Sequence, residues 1–158
     1  MGSVFLTEGE RCMRQTKIPV WIEMNTAITE EDDTEYTTLR AAGTYSVNGG
    51  LTVVNFTEES EEVGETKTLI TITDDKVSIK RSGGFDMKQV FIKNQPTENV
   101  YRHPYGTMHM ETSTHAMTFS PLVADSPAEL TISYTVTLNQ VQSRRHALTL
   151  RVQEESNG

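Results

Sequence analysis

Apolar and polar residues alternate along most of this chain, and the alternation has a period of two. In residues 17–29, Val20, Ile22, Met24, Thr26 and Ile28 fall on one face while Glu23 and Asn25 fall on the other, as expected for a strand with one side buried. Leu130, Ile132, Tyr134, Val136 and Leu138 alternate with Thr131, Ser133, Thr135, Thr137 and Asn139. Likewise, His146, Leu148, Leu150 and Val152 alternate with Ala147, Thr149 and Arg151. Between these ends the same reading predicts strands over residues 35–47, 51–57, 66–73, 77–81, 84–93, 99–103 and 106–119. Turn chemistry separates them: the acidic run Glu30-Glu31-Asp32-Asp33, Asn48-Gly49-Gly50, the acidic, glycine-containing residues 58–64, Asp74-Asp75, Arg81-Ser82-Gly83-Gly84 and His103-Pro104-Tyr105-Gly106. Asn and Gly tolerate the positive φ that tight hairpins require, which makes residues 48–50 the sharpest of these signals. No helix of three turns is visible.

A set of short antiparallel strands, each with one apolar face, must pack as two sheets or close on itself to bury those faces. The even succession of hairpins favours closure. The predicted fold is all-β, a single antiparallel up-and-down β-barrel of about 8–10 strands. A chain of 158 residues closes one core and not two. Residues 1–16, without a clear pattern, read as a flexible leader that includes the lone Cys12; residues 17–153 form the barrel, and the polar residues 154–158 a frayed tail.

Composition narrows the functional classes. With 35% hydrophobic and 23% charged residues the chain has the makeup of a folded domain. A formal net charge of -8 repels phosphate backbones, and Arg144-Arg145 is too small a basic patch to reverse that, so no nucleic-acid partner is expected. No apolar run approaches the roughly 18 residues of a membrane helix, and no signal peptide pattern opens the chain; no membrane association is expected, and a cytoplasmic location follows as the default. A single cysteine cannot form an internal disulfide, which is compatible with a reducing compartment. There is no nucleophile elbow around Ser82, and Gly83-Gly84 lies between two strands with no helix terminus or lysine to make a phosphate cradle. The acidic clusters lack the ordered oxygen spacing of a calcium loop and read as solvated turns. No cofactor is expected.

The candidate chemistry sits between Val77 and Thr114. If Val77 and Ile79 point inward, so does Arg81, and if Phe85, Met87 and Phe91 point inward, so does Gln89 between them. A buried guanidinium is costly unless paired, so Arg81 must meet a carboxylate, backbone carbonyls, the barrel mouth or a ligand. In the ligand reading Arg81 forks onto a carboxylate or phosphate, Gln89 adds a polar contact, and Met87, Phe91, Met108 and Met110 supply an adaptable apolar wall. On the opposite face of the 106–119 strand lie His109, Glu111, Ser113 and His115. Histidine and glutamate at alternate positions can hold a transition metal, but neighbours almost 7 Å apart along an extended strand on an outward face favour hydration. Trp21, opposite Val20 and Ile22, either faces outward as an interface anchor or marks a break in the alternation at Pro19.

The string Val77-Ser78-Ile79-Lys80-Arg81-Ser82-Gly83, followed by Met87-Lys88-Gln89 and Phe91, then Tyr101, Pro104, Tyr105-Gly106 and Met110 to Thr112, resembles the YwiB-like family of uncharacterised bacterial proteins. The likeness extends more weakly from Lys17 to about Val152 and takes in Gly43-Thr44-Tyr45. It implies a calycin-like, lipocalin-like barrel in a bacterial cytoplasm and carries over no catalytic residue. Three functional expectations follow. The leading one is a non-enzymatic barrel that binds a small, anionic amphipathic molecule; next comes a structural or protein-interaction module, such as a homodimer formed through the outer strand surface; a metal-dependent enzyme is third. The barrel interior decides between the first two, because a cavity of several hundred Å³ with Arg81 in its wall favours binding and a filled interior favours the surface.

Overall fold

The computed structural model describes residues 17–61, 64–84, 86–140 and 142–155. The leader with Cys12, the inward placement expected of Phe85 and the last residues of the tail lie outside the described residues. Ten strands follow one another: β1 (Ile18–Glu30), β2 (Asp33–Asn48), β3 (Leu51–Ser60), β4 (Gly64–Ile72), β5 (Lys76–Gly83), β6 (Asp86–Ile92), β7 (Pro96–His103), β8 (Gly106–Ser120), β9 (Ala128–Leu138) and β10 (Gln142–Glu154). Each pairs antiparallel with the next, and β1 pairs with β10 from Val20 opposite Glu154 to Thr29 opposite Arg145, so the sheet closes into a barrel. Closure removes both sheet edges. The up-and-down barrel read from the alternation is therefore the fold.

The strands are longer than their apolar runs. The 58–64 connection shrinks, because β3 continues to Ser60 and β4 starts at Gly64. The chain also stays in the barrel past residue 153: β10 ends at Glu154, and the Glu155 N–H donates to the Pro19 carbonyl at 3.0 Å. Hydrogen bonding to a neighbouring strand extends regular structure through polar residues when the ladder partner is already in place. One long strand changes phase. In β8 Met110, Thr112 and Thr114 point inward, but Met117 and Phe119 also pack against the core, and the register with β9 shifts between Thr114 and Ala116. His115 is the extra residue of a β-bulge, which switches the inward set from even to odd positions.

The two halves of the barrel are filled differently. Toward the end where β1 begins and β10 finishes, Val20, Ile22, Val54, Ile70, Val77, Leu130, Leu150 and Val152 are buried almost completely. The 121–127 connection covers this end: Leu122 packs against the core, and its N–H donates to the Tyr45 hydroxyl at 3.0 Å. Gly43 belongs to the same packing. A Cβ there would lie 2.2 Å from the Asn55 carbonyl oxygen, 2.7 Å from Ile22 Cδ1 and 3.0 Å from Phe56 Cβ, so the absent side chain is what lets Ile22 and Phe56 fill the interior. Gly43→Ala is expected to lower unfolding stability by roughly 1–3 kcal/mol through overpacking against backbone. Urea denaturation checks this, and a change under about 0.5 kcal/mol, within the range of ordinary surface substitutions, would show that β3 yields without cost.

Among the described residues the wall is thinnest between β6 and β7, where the register pairs are Asp86 with Arg102 and Met87 with Tyr101. Side chains stitch this seam. Thr97 Oγ1 donates to the Val90 carbonyl at 2.5 Å, and Gln89 Nε2 reaches across to Thr112 Oγ1 on β8 at 2.9 Å. Both supply bonds where the backbone ladder does not, as buried polar groups require.

Candidate functional site

Toward the other end, where β1 finishes and β10 begins, the inward side chains do not meet, and they leave a cavity of about 590 Å³. Every strand contributes to its lining, because the strands run alternately up and down and present residues from their ends or beginnings in turn. Met24, Ile28, Leu39, Ile79, Met87, Met108, Met110, Val136, Leu138 and Leu148 make the apolar wall. Methionine suits such a wall because its unbranched thioether adapts to the shape it meets.

Of the residues singled out in the sequence, Arg81, Met87, Gln89, Met108 and Met110 come together here. Phe91 does not. Its side chain is wholly buried and packs edge-on against Tyr134, with ring centroids 4.7 Å apart, so it belongs to the packed core and the expectation that it lines a ligand wall is corrected. Alternation gave its face correctly, but depth along the strand puts it beneath the space. Gln89 lines the cavity with its amide already engaged by Thr112.

Arg81 is placed between Thr68 of β4 and Met87 of β6 in the ladder. Its Nε is buried and has no hydrogen-bond partner, and the hydroxyl of the neighbouring Thr68 is likewise buried without one. Among the described residues, the ion pairs are Arg40 with Glu23, His109 with Glu98, and Arg144 with Glu30, and none involves Arg81. Arg144, also in the cavity lining, likewise has a buried Nε without a hydrogen bond, but that atom lies 3.3 Å from Glu30 Oε1 in an ion pair, and Glu30 Oε2 further accepts from Gln142 Nε2 at 2.8 Å. Both partners of that ion pair are about two-fifths exposed, so it contributes little to stability.

Two lining residues were legible as inward positions but not as chemistry. Tyr134 and His146 are direct ladder partners on β9 and β10, their rings stacked at 4.9 Å with 26° between planes. The signal was a histidine and a tyrosine within otherwise apolar faces. Burial pushes the Tyr134 phenol up to about 12, with the Arg81 guanidinium pulling weakly in the other direction. Burial, assisted by the positive charge of Arg144, lowers His146 from 6.5 to about 4. The phenol is thus protonated and the imidazole neutral at neutral pH. Because the unfolded chain takes up the His146 proton first as pH falls, the stability tied to the neutral ring is complete above about 6.5 and drains away toward pH 4. Thermal unfolding at pH 7 and pH 4.5 is expected to show a drop in midpoint that His146→Gln reduces; an equal drop in both proteins would assign the acid sensitivity elsewhere.

The suggested metal group is on the outside. His109 and Glu111 share a shallow depression with Glu98, with His109 Nε2 3.8 Å from Glu98 Oε1, whereas His115 sits at the bulge and its Nε2 bonds Thr135 Oγ1 at 2.8 Å. Among the described residues no three histidine, cysteine or acidic side chains gather to hold a metal ion. Gly83 is architectural: its φ is +123°, and a Cβ there would lie 2.3 Å from the Glu65 carbonyl oxygen. Trp21 faces outward and is 55% exposed, so the alternation is unbroken at Pro19.

Comparison with known proteins agrees with this architecture. The chain is 23% identical over 132 residues to the uncharacterised β-barrel protein YwiB of Bacillus subtilis (strain 168), which spans 84% of this chain and 91% of that protein. The crystal structure of the ywiB protein from Bacillus subtilis superposes with a TM-score of 0.79 at 20% identity, covering 92% of this chain and 99% of that one. The family model described as "Domain of unknown function (DUF1934)" matches residues 22–150, which include every strand lining the cavity; the chain belongs to this family of uncharacterised β-barrel proteins.

Proposed function

We propose that this protein binds a small amphipathic anion within the barrel, without transforming it. The observation that carries the reading is the buried, unpartnered Nε of Arg81 in the wall of a 590 Å³ cavity that is otherwise mostly apolar. Arg81 is half-buried, and its Nε has been taken out of water without a hydrogen-bond partner, a state that buried polar groups ordinarily avoid. A carboxylate or phosphate supplies the partner with charge-assisted, two-pronged hydrogen bonds, while the methionines and aliphatic side chains take up the apolar part. The volume falls in the range of small-molecule sites. Thermal shift and native mass spectrometry against fatty acids of graded length and a panel of anionic metabolites test it, with Arg81→Ala in parallel. Stabilisation and a bound mass in the parent protein, both lost in the variant, are expected. No binding by either method, or equal binding by the variant, overturns the reading.

A second reading places function on the outer surface. The exposed Trp21 borders a shallow depression with Glu23, Arg40, Arg151 and Gln153, and an indole flanked by polar groups is the composition of an interface anchor. Sedimentation equilibrium discriminates: a dimer that Trp21→Ala dissociates supports self-association through this face, and a monomer at all accessible concentrations removes it.

A further inference from the structure

We infer that the cavity holds a second, uncharged recognition site beside Arg81, formed by the stacked pair Tyr134 and His146, and that its ligand is an amphipathic acid carrying a hydroxyl or keto oxygen near the acidic head. This rests on the ligand-binding reading and sharpens it to a chemical class.

The geometry begins with the ladder. Tyr134 and His146 are opposite each other on adjacent strands, both inward and both lining the cavity, with rings stacked at 4.9 Å. Phe91 and Tyr134 pack in a T-shaped pair with ring centroids 4.7 Å apart, which together with the stacked His146 holds the Tyr134 side chain in place. Tyr134 is only 4% exposed and His146 is half-buried, and both rings line the cavity. The adjacent Thr114, in register with Tyr134, has its own buried hydroxyl without a partner. A phenol and an imidazole facing an apolar space bring hydrogen-bonding groups to it. Here two of them face the same space.

Their protonation states define what they recognise. A phenol held protonated donates one hydrogen bond, and a neutral imidazole offers one donor and one acceptor. Together they match a hydroxyl, which both donates and accepts, or a keto oxygen, which accepts from phenol and ring N–H. They add no charge and so do not compete with Arg81 for the acid group. Arg81 and Tyr134 lie in the wall of one cavity, where the guanidinium charge is felt by the phenol; a ligand whose acid group meets Arg81 then carries its neutral oxygen toward the head and not far along the apolar chain. A plain fatty acid would fill the methionine wall and reach Arg81 but leave the phenol and imidazole unpaired, an omission that sites built for hydrogen bonding penalise.

Calorimetric titration of the full chain with dodecanoate and with 3-hydroxydodecanoate tests this, using the parent protein, Tyr134→Phe and Arg81→Met. Tyr134→Phe keeps the ring packed between Phe91 and His146, and its unfolding midpoint confirms that the barrel is intact. The hydroxy acid is expected to bind the parent roughly tenfold tighter than dodecanoate; Tyr134→Phe should reduce that preference to about twofold or less, by weakening the hydroxy acid and, with no phenol left unpaired, by holding or raising dodecanoate affinity, and Arg81→Met should weaken both acids alike. Equal affinity of the parent for the two acids, or a preference that survives in Tyr134→Phe, overturns the second site and leaves Arg81 recognition standing. Failure of both acids to bind the parent overturns both.

Discussion

Phe91→Ala is expected to destabilise the barrel by about 3–5 kcal/mol, the usual range for removing a fully buried phenyl ring. Phe91 has no exposed surface, and it packs against Tyr134 in a T-shaped pair with centroids 4.7 Å apart. It therefore sits at the boundary between the packed half of the barrel and the hollow half. Its removal would open a void continuous with the existing cavity, and a void that large cannot be closed by small adjustments of a closed sheet, whose strands are each held on two sides. Against a total stability of about 5–15 kcal/mol for a domain of ordinary size, such a loss brings the protein close to unfolding. Urea denaturation with the denaturant slope held constant measures it. Phe91→Leu, which retains most of the volume, should lose clearly less; a loss below about 1 kcal/mol for Phe91→Ala would mean that the two halves are not mechanically distinct.

Arg81→Met is the second large effect, and its two readouts move in opposite directions. Ligand affinity should fall by about ten- to a hundredfold, the equivalent of about 1.5–3 kcal/mol for a hydrogen bond to a charged group. Stability of the protein without ligand should stay level or rise, because the substitution removes a buried guanidinium nitrogen that has no partner and installs a thioether among Met87, Met108 and Met110. A residue whose partner lay inside the protein would behave otherwise: breaking a buried ion pair costs stability outright. Unfolding midpoints with and without added dodecanoate separate the cases. Arg81→Lys should recover part of the affinity, since it restores the charge but not the planar fork. Lower midpoints for Arg81→Met without ligand would assign the guanidinium a structural partner.

The hydrogen bond from Gln89 to Thr112 shows why Gln89 and Arg81, polar residues one inward step apart across the β5–β6 ladder, can differ in role. Gln89 reaches across the thin β6–β7 seam and is used by the fold. Arg81, near the end of β5, faces the open half and is not. Both were inward by the same argument from sequence, and only their neighbours on other strands distinguish them.

What the sequence determined by itself is everything that a period of two can encode. Alternation fixed which side chains of each strand face the interior, including Arg81, Met87, Met108, Met110, Tyr134 and His146, and the turn residues set the succession of hairpins that makes closure the economical solution. Even the bulge at His115 leaves a trace, in the change from the even positions Met108 and Met110 to the odd positions Met117 and Phe119. The tertiary structure alone decided depth and neighbourhood. That Phe91 lies beneath the cavity, that His146 stacks on Tyr134, that Arg144 finds Glu30 and that Arg81 pairs with none of the described carboxylates all depend on the stagger between strands and on the joining of β1 to β10. Those are relations between residues far apart in the chain, and a local pattern carries no information about them. The face of each side chain is a property of its own strand, whereas its height in the barrel and its partner are properties of the closed sheet.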